Sequence, residues 1–372
     1  MSLTVTVTHT TTPDSHTTTP DSHTTTDSHT TTPDSEPSQF ILPDLINQFQ
    51  YPFRKSPHSY TVTRASARWL ADVAKLVEPE IRGYIEMDTG TFVALIYPDA
   101  DVFHLQVCAE SINWAFVIDD SMECGVVTPQ EALESCIPAL RDPINFETDL
   151  LAAKMCKSFA NRFNENAGPG CRERYIHGKE LYFTAVAKQL EDRANGTTYD
   201  LESYIVQRRG IVGMKPYFAL IEFVSGIDLP DEVVAHPVFD AIDCAATDHV
   251  GWANDIFSYN KEQSTGGAPW ENLVAVLMHV RGLDVQSAID CAGQMCKDAI
   301  QRFESNRASL PSWGEEVDRV VDIYVEGLKR WMVGSLYWHL SCVRYVGNDL
   351  HTVQRDRIVR LLPKRPLASG EH

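Results

Sequence analysis

The chain has 372 residues, of which 43% are apolar, and its formal net charge at pH 7 is −19. This length and apolar content predict a globular body with a sizeable core. The strong negative charge argues against nucleic acid or an anionic membrane surface as the main partner, because both attract basic proteins.

The cysteines and the hydropathy of the chain exclude further classes of protein. Nine cysteines lie between Cys108 and Cys342 without a CxxC pair, which fits neither a disulfide framework nor a zinc site. No apolar run approaches the roughly 20 residues that a membrane-spanning helix needs, and the polar N-terminus lacks the apolar core of a signal peptide. We therefore expect a soluble cytoplasmic protein with reduced thiols and no membrane insertion.

The N-terminal segment differs in composition from the rest of the chain. Residues 1–36 repeat the sequence TTTPDSH with small variations and contain five acidic residues but no Lys or Arg. With almost no large apolar side chains, this segment cannot bury enough surface to fold. We predict a disordered tail over residues 1–36, a single α-helical domain over 37–364 and a flexible C-terminus over 365–372.

From about residue 65 onward, apolar residues recur at spacings of three and four, and alternating β-branched runs are scarce. This pattern predicts an all-α fold, and the absence of an internal repeat argues against a solenoid. The predicted helices lie near residues 65–86, 102–122, 129–137, 146–165, 171–194, 200–222, 235–262, 269–280, 284–308 and 314–346.

An acidic cluster closes the predicted helix 102–122. Its last residues read DDSME and contain Asp119, Asp120 and Glu123. An apolar line on the face of Asp119 precedes them, and it consists of Cys108, Ile112, Ala115 and Phe116. Carboxylates at the end of a buried apolar stripe are costly to desolvate, so we expect them at a cavity mouth with cations between them. A DDxxE match also occurs on many surface helices, so its meaning depends on a second cluster.

That second cluster is the sequence NDIFSYNKE. Asn254, Ser258 and Glu262 are four residues apart, which places them on one helical face. A solvated polar stripe would give the same spacing, but the preceding residues on this face are small or apolar: Ala246, Thr247, Val250 and Gly251. Oxygen ligands without His or Cys favour Mg²⁺ or Mn²⁺ over zinc.

Positive residues lie close to both clusters in the sequence. Arg208 and Arg209 stand directly before Gly210, Gly213 and Pro216, a sequence that predicts a broken or kinked helix. The other candidates are Lys261, Arg344 and Tyr345. In a protein of this net charge, such side chains supply the donors that a phosphate group would need.

These motifs together resemble class I terpene synthases, especially fungal sesquiterpene synthases. They comprise DDSME, NDIFSYNKE, an arginine 46 positions before the asparagine, and the late Arg-Tyr pair. The resemblance covers about residues 40–350 and extends to the phrases KPYFALIEF and LPSWGEEVD. It implies a class I terpenoid synthase-like helical barrel around an apolar pocket. At the mouth of such a barrel, three Mg²⁺ ions, which Mn²⁺ can replace, hold a prenyl diphosphate.

The resemblance also implies roles for individual residues. Asp119 and Glu123 would be metal ligands, with Asp120 in the same cluster and expected to orient arginine side chains. Asn254, Ser258 and Glu262 would hold the third ion. Arg208 resembles the diphosphate-sensing arginine, and the further diphosphate donors would be Lys261, Arg344 and Tyr345. The aromatic residues of the pocket, assigned by family position, would be Phe92, Phe116, Tyr182 and Trp338.

This interpretation predicts a Mg²⁺-dependent sesquiterpene synthase, monomeric or homodimeric, that ionises and cyclises farnesyl diphosphate to a hydrocarbon or alcohol and releases diphosphate. A prenyl chain elongase would repeat the aspartate-rich motif where this chain reads NDIFSYNKE, and a class II cyclase would need a DxDD motif, which is absent. An inactive isoprenoid-binding protein stays open, because Ile211 and Val212 stand where the family often has an acidic or hydroxyl residue.

Overall fold

The computed structural model describes residues 38–265, 270–346 and 350–364. Within these ranges helices dominate, as the sequence predicts. The helices are α1 (Ser59–Asp72), α2 (Glu80–Glu86), α3 (Thr89–Ile96), α4 (Val102–Glu123), α5 (Pro129–Arg141), α6 (Leu151–Asn166), α7 (Pro169–Ala194), α8 (Leu201–Ile211), α9 (Met214–Ser225), α10 (Asp231–Val234), α11 (Pro237–Thr265), α12 (Leu273–Arg281), α13 (Val285–Arg307), α14 (Glu315–Ser341), α15 (Val343–Val346) and α16 (Leu350–Asp356).

Two short strands, β1 (Gln39–Ile41) and β2 (Ile358–Arg360), were not predicted. They pair in an antiparallel ladder in which Phe40 lies opposite Val359. Among the described residues, no helix has the length and apolar character that crossing a bilayer requires. The predicted tail 1–36 and C-terminus 365–372 lie outside the described residues, so the predicted domain boundaries stay predictions.

Two long helices, α4 and α11, lie at the centre of the packing. Helix α4 packs against α1, α3, α6 and α9, while α11 packs against α8, α12, α13 and α14. Residues 107–114 of α4 and 245–253 of α11 are all buried. A helix that is buried around its whole circumference belongs to the interior of a fold. The two predicted oxygen clusters therefore lie on the C-terminal parts of the two core helices.

The N-terminal helices differ from the prediction of one helix over 65–86. The chain forms α1 and α2 separately: α1 ends at Asp72, and Pro79 directly precedes the first residue of α2, where a missing N–H costs no helical hydrogen bond. Helix α3 was missed, since it is apolar nearly all round and shows no polar stripe. A Cβ atom at Gly90 of α3 would lie 2.3 Å from the backbone nitrogen of Thr63, so glycine permits α1 and α3 to pack closely.

The predicted break after Arg208 is confirmed. Helix α8 ends at Ile211, and α9 begins after Gly213, whose φ of 62° is in the left-handed region that favours glycine. A Cβ atom at Gly213 would also lie 2.9 Å from the ring of Tyr182. Both the backbone conformation and the close approach of α7 thus require glycine at the break.

The last long helix ends earlier than predicted. Helix α14 stops at Ser341 and Cys342 is extended, with φ −90° and ψ 120°, before the short helix α15. The Ser341 hydroxyl donates to the carbonyl oxygens of Tyr337 and Trp338, a type of contact that weakens and bends a helix. The break changes the direction of the chain just before Arg344.

All nine cysteines are free thiols, in agreement with the expectation of reduced thiols.

Candidate active site

Asp119 ends the buried face of α4. Its carboxylate accepts a hydrogen bond of 2.5 Å from the Tyr182 hydroxyl of α7, which is its only hydrogen bond among the described residues. Burial raises the pKa of Asp119 to about 6, although the Tyr182 hydrogen bond favours the ionised form. Glu123 lies one turn later and is exposed. A partly buried carboxylate with one neutral partner retains lone pairs for a cation.

Asp120 has different partners from Asp119. Its carboxylate accepts hydrogen bonds from the Tyr84 hydroxyl at 2.8 Å and from the Arg344 guanidinium at 3.4 Å. The same guanidinium lies 5.7 Å from the centre of the Phe116 ring, within the range of a cation–π contact. Asp120 therefore holds Arg344 beside the acidic cluster.

Helix α11 presents Asn254, Ser258 and Glu262 on one face. The amide nitrogen of Asn272, the residue that caps the N-terminus of α12, donates to Glu262 Oε2 at 2.9 Å and to Ser258 Oγ at 3.4 Å. Burial raises the pKa of Glu262, and the negative charge of Asp255 raises it further. Asn272 thus joins two of the three predicted ligands and keeps their oxygens close together.

The Asn254 amide contacts three side chains from other elements. Its Oδ1 accepts from Arg208 Nη2 at 2.8 Å, while its Nδ2 lies 3.1 Å from His339 Nε2 and 3.5 Å from the Tyr345 hydroxyl. Burial lowers the pKa of His339 to about 4, so this ring is neutral at pH 7. Helices α8, α14 and α15 therefore all contact Asn254.

Arg208 is held by a buried carboxylate. Its Nη2 lies 2.7 Å from Asp255 Oδ1, and the Tyr204 hydroxyl donates to the other oxygen of Asp255 at 2.6 Å. Only 13% of the Arg208 side chain is exposed, and its Nε–H is buried without a partner among the described residues. A buried guanidinium donor without a partner is available to an anionic acceptor.

The neighbouring basic residues lie in different environments. Arg209 makes two hydrogen bonds of 2.7 Å to Asp248, which also binds Arg302, so this guanidinium is already paired with a carboxylate. The Lys261 ammonium has no hydrogen bond or ion pair with any residue in the described part of the chain, and its side chain is partly buried. Arg208 has a buried Nε–H without a partner among the described residues, and the Lys261 ammonium is unpaired there, so both can donate to an anion.

The two oxygen clusters are joined by a pair of adjacent residues. Arg344 contacts Asp120 of the α4 cluster, while Tyr345 contacts Asn254 of the α11 row. Two adjacent residues thus contact side chains from distant parts of the sequence, one on α4 and one on α11.

Aromatic side chains extend from this place into the core. The rings of Phe92 and Trp338 stack with centres 4.2 Å apart, and Phe116 lies 6.1 Å from Trp338. The Trp338 indole nitrogen donates to the carbonyl oxygen of Met87 at 2.8 Å, which fixes the ring. Tyr182, the fourth predicted pocket residue, instead directs its hydroxyl to Asp119. The other three rings form one aromatic wall.

The oxygen ligands of the two clusters suit a hard cation that also binds water or substrate oxygens. Within the described residues, no three side chains of His, Cys, Asp or Glu converge as a closed metal site. The α4 and α11 clusters instead combine carboxylate, amide and hydroxyl oxygens. Mg²⁺ binds through a few protein oxygens together with water and substrate phosphates, so these residues fit it.

Several residues that shape the site were not predicted from the sequence, namely Tyr84, Tyr204, Asp255, Asn272 and His339. Asn272 had a signal, because an asparagine before an apolar run is a typical start of a helix. The others lie on helices where their residue types are ordinary, so the sequence offered no signal for their contacts.

Comparisons with known proteins agree with this geometry. Residues 110–302 match the family described as "Terpene synthase family 2, C-terminal metal binding". Sesquiterpene synthase Agr1 of Cyclocybe aegerita is 38% identical over 334 residues, covering 88% of this chain and 95% of that protein. Alpha-muurolene synthase of Coprinopsis cinerea is 36% identical over 340 residues, covering 89% of this chain and 79% of that protein. The chain belongs to the terpene synthase family.

Solved structures agree with the fold. The structure of a-eudesmol synthase matches with a TM-score of 0.70 at 21% identity, covering 79% of this chain and 98% of that one. Germacradien-4-ol synthase from Streptomyces citricolor matches with a TM-score of 0.67, also at 21% identity, covering 78% of this chain and 96% of that one. The predicted class I terpenoid synthase-like fold and the predicted enzyme class, a terpene synthase, are confirmed. Membership implies a prenyl diphosphate substrate, and the matched region, described as metal binding, includes both oxygen clusters.

Proposed function

We propose that this terpene synthase is a Mg²⁺-dependent sesquiterpene synthase that ionises farnesyl diphosphate and cyclises the resulting cation, with release of diphosphate. One observation carries the proposal: the adjacent residues Arg344 and Tyr345 contact Asp120 and Asn254, which supports a single site that both oxygen clusters share. The choice of a fifteen-carbon substrate is supported by relatives that are named sesquiterpene synthases. The proposal includes a cytoplasmic location and a monomeric or homodimeric protein.

The oxygen clusters would hold the metal. In this proposal, Asp119 and Glu123 bind Mg²⁺ on the α4 side, and Asn254, Ser258 and Glu262 bind a third ion on the α11 side. When bound, the ions neutralise the diphosphate and make it a better leaving group. The hydrogen bonds from Tyr182 and Asn272 hold the ligand oxygens in place before a metal arrives.

Basic side chains would bind the departing diphosphate. The unpartnered Nε–H of Arg208 and the unpaired ammonium of Lys261 are available donors in the described part of the chain, and Arg344 lies beside the acidic cluster. The Tyr345 hydroxyl can donate its own proton, because it accepts rather than donates in its contact with Asn254. Such local donors are needed, since a net charge of −19 would otherwise repel an anion.

The aromatic wall would face the hydrocarbon part of the substrate. A ring face stabilises a nearby cation by roughly 0.5 to 2 kcal/mol and offers no lone pair that would trap it. The Trp338 indole nitrogen already donates its hydrogen bond to the Met87 carbonyl oxygen, so the rest of this ring presents only carbon atoms to the substrate. Phe92, Phe116 and Trp338 therefore suit an intermediate that is positively charged and has to be kept dry.

The test is incubation of the full-length protein with farnesyl diphosphate and Mg²⁺, followed by gas chromatography with mass spectrometry. We expect a sesquiterpene whose formation stops in excess chelator. Asn254→Ala should lower turnover by orders of magnitude. The control Asn306→Ala should not, because Asn306 lies at the C-terminal end of α13 and its side-chain amide, within the described residues, donates only to the Arg302 carbonyl of the same helix.

Two results would contradict the proposal. A longer prenyl diphosphate formed after addition of isopentenyl diphosphate would indicate a chain elongase. Tight binding of farnesyl diphosphate without any volatile product would indicate an inactive binding protein.

A further inference from the structure

His339 of α14 is a buried histidine whose tautomer is set by its surroundings. Its Nδ1 lies 2.7 Å from the carbonyl oxygen of Ser335, one turn earlier in the same helix. A carbonyl oxygen only accepts hydrogen bonds, so Nδ1 carries the proton and Nε2 presents a lone pair. That lone pair points at the Asn254 amide, 3.1 Å away.

Aromatic rings keep this imidazole from turning. Phe257 stacks on it almost in parallel, with an angle of 12° and centres 5.1 Å apart. The ring centres of Tyr345 and Trp338 lie 4.7 Å and 5.1 Å from that of His339, and both rings are tilted against it. Only 3% of His339 is exposed. The ring therefore presents a fixed acceptor to Asn254.

The two sides of the Asn254 amide meet groups of opposite character. On one side, Arg208 Nη2 is always a donor, so the amide atom 2.8 Å from it has to be the oxygen. On the other side, the Nε2 lone pair of His339 accepts from the amide nitrogen. A flipped amide would place two donors against each other at Arg208 and two acceptors against each other at His339.

We propose that His339 is a positioning residue that, together with Arg208, fixes the orientation of the Asn254 amide, so that the oxygen, which has a second lone pair beside its hydrogen bond with Arg208, is the atom available to a metal. This inference rests on the proposed function, in which Asn254 is a ligand. An asparagine needs such a partner because only one of its two terminal atoms binds a hard cation. A hydroxyl such as Ser258 or a carboxylate such as Glu262 presents oxygen in every orientation.

Three variants separate positioning from simple packing. His339→Phe keeps a ring of similar shape between Phe257 and Tyr345 but removes the acceptor. His339→Gln keeps an acceptor oxygen that can reach the amide nitrogen. The matched control is His249→Phe on α11, because His249 is equally buried and neither of its ring nitrogens has a partner among the described residues.

The experiment measures Mn²⁺ binding to the full-length protein in the presence of inorganic diphosphate. Binding is detected as a decrease in the electron paramagnetic resonance signal of free Mn²⁺. We expect His339→Phe to weaken Mn²⁺ binding by about tenfold or more, as is usual when the partner of a metal ligand is lost. His339→Gln should recover most of the affinity, and His249→Phe should bind like the wild type. Thermal unfolding of each variant monitors the fold.

A second pair of proteins tests the orientation itself. In an Asn254→Asp background both terminal atoms are oxygen, so adding His339→Phe should weaken Mn²⁺ binding by less than about threefold. An equal loss in both backgrounds would mean a structural effect and would overturn the proposal, as would unchanged binding by His339→Phe alone. A wild type that binds no Mn²⁺ with diphosphate would instead overturn the proposed function.

Discussion

The Tyr182 hydroxyl is the most informative single group to remove, because it is the hydrogen-bond partner of Asp119 within the described residues. Tyr182→Phe deletes one oxygen and keeps the ring that Gly213 packs against. A hydrogen bond to a charged group contributes roughly 1.5 to 3 kcal/mol, and one pKa unit corresponds to about 1.4 kcal/mol. The pKa of Asp119, already raised by burial to about 6, should therefore rise by a further one to two units or so.

The sign of the effect follows from the form that binds metal. A metal binds the ionised carboxylate, so a higher pKa of Asp119 weakens metal binding near neutral pH. At pH 7 the protonated fraction would grow from roughly a tenth to roughly a half or more. At about pH 9 the carboxylate is ionised in both proteins, so the variant should recover most of its activity.

The assay is kcat/KM for farnesyl diphosphate at subsaturating Mg²⁺ between about pH 6 and pH 9. We expect the acid limb of the profile to move to higher pH by about one unit or more. Tyr324→Phe is the matched control, since Tyr324 donates at 2.9 Å to Asp243, whose pKa burial also raises to about 6. The control should leave the profile in place. An unchanged profile in Tyr182→Phe would refute the role of Tyr182 in ionising Asp119.

Four further predictions concern other parts of the protein. Trp338→Leu should yield simpler or less cyclised products in gas chromatography, and parental proportions formed only more slowly would make Trp338 ordinary core. Arg208→Lys should raise the KM for farnesyl diphosphate strongly, because an ammonium cannot replace a forked guanidinium; near-normal kinetics would remove its sensing role. Asp243→Asn should raise the free energy of unfolding in urea by about 1 to 3 kcal/mol above pH 6. This gain should vanish below about pH 4, because the wild type loses stability only as Asp243 ionises between about pH 4 and pH 6. A gain that is the same at every pH would contradict this prediction. Removal of residues 1–36 should change neither turnover nor unfolding, and a substantial loss of either would show that the tail contributes.

Sequence by itself determined the features that depend on local periodicity. The row Asn254, Ser258 and Glu262 needs only the helical repeat, and the break after Arg208 follows from the conformations open to Gly213. Helix α3 was not predicted, because a helix that is apolar on nearly every side shows no alternation of apolar and polar residues in its sequence.

Tertiary structure alone decided which groups meet. Arg208 and Arg209 are adjacent in the sequence, yet Arg208 contacts Asn254 and Asp255 while Arg209 contacts Asp248. The orientation of the Asn254 amide depends on a histidine 85 residues away. Such contacts are set by how whole helices pack, because hydrogen bonds act over about 3 Å of space regardless of the distance along the chain.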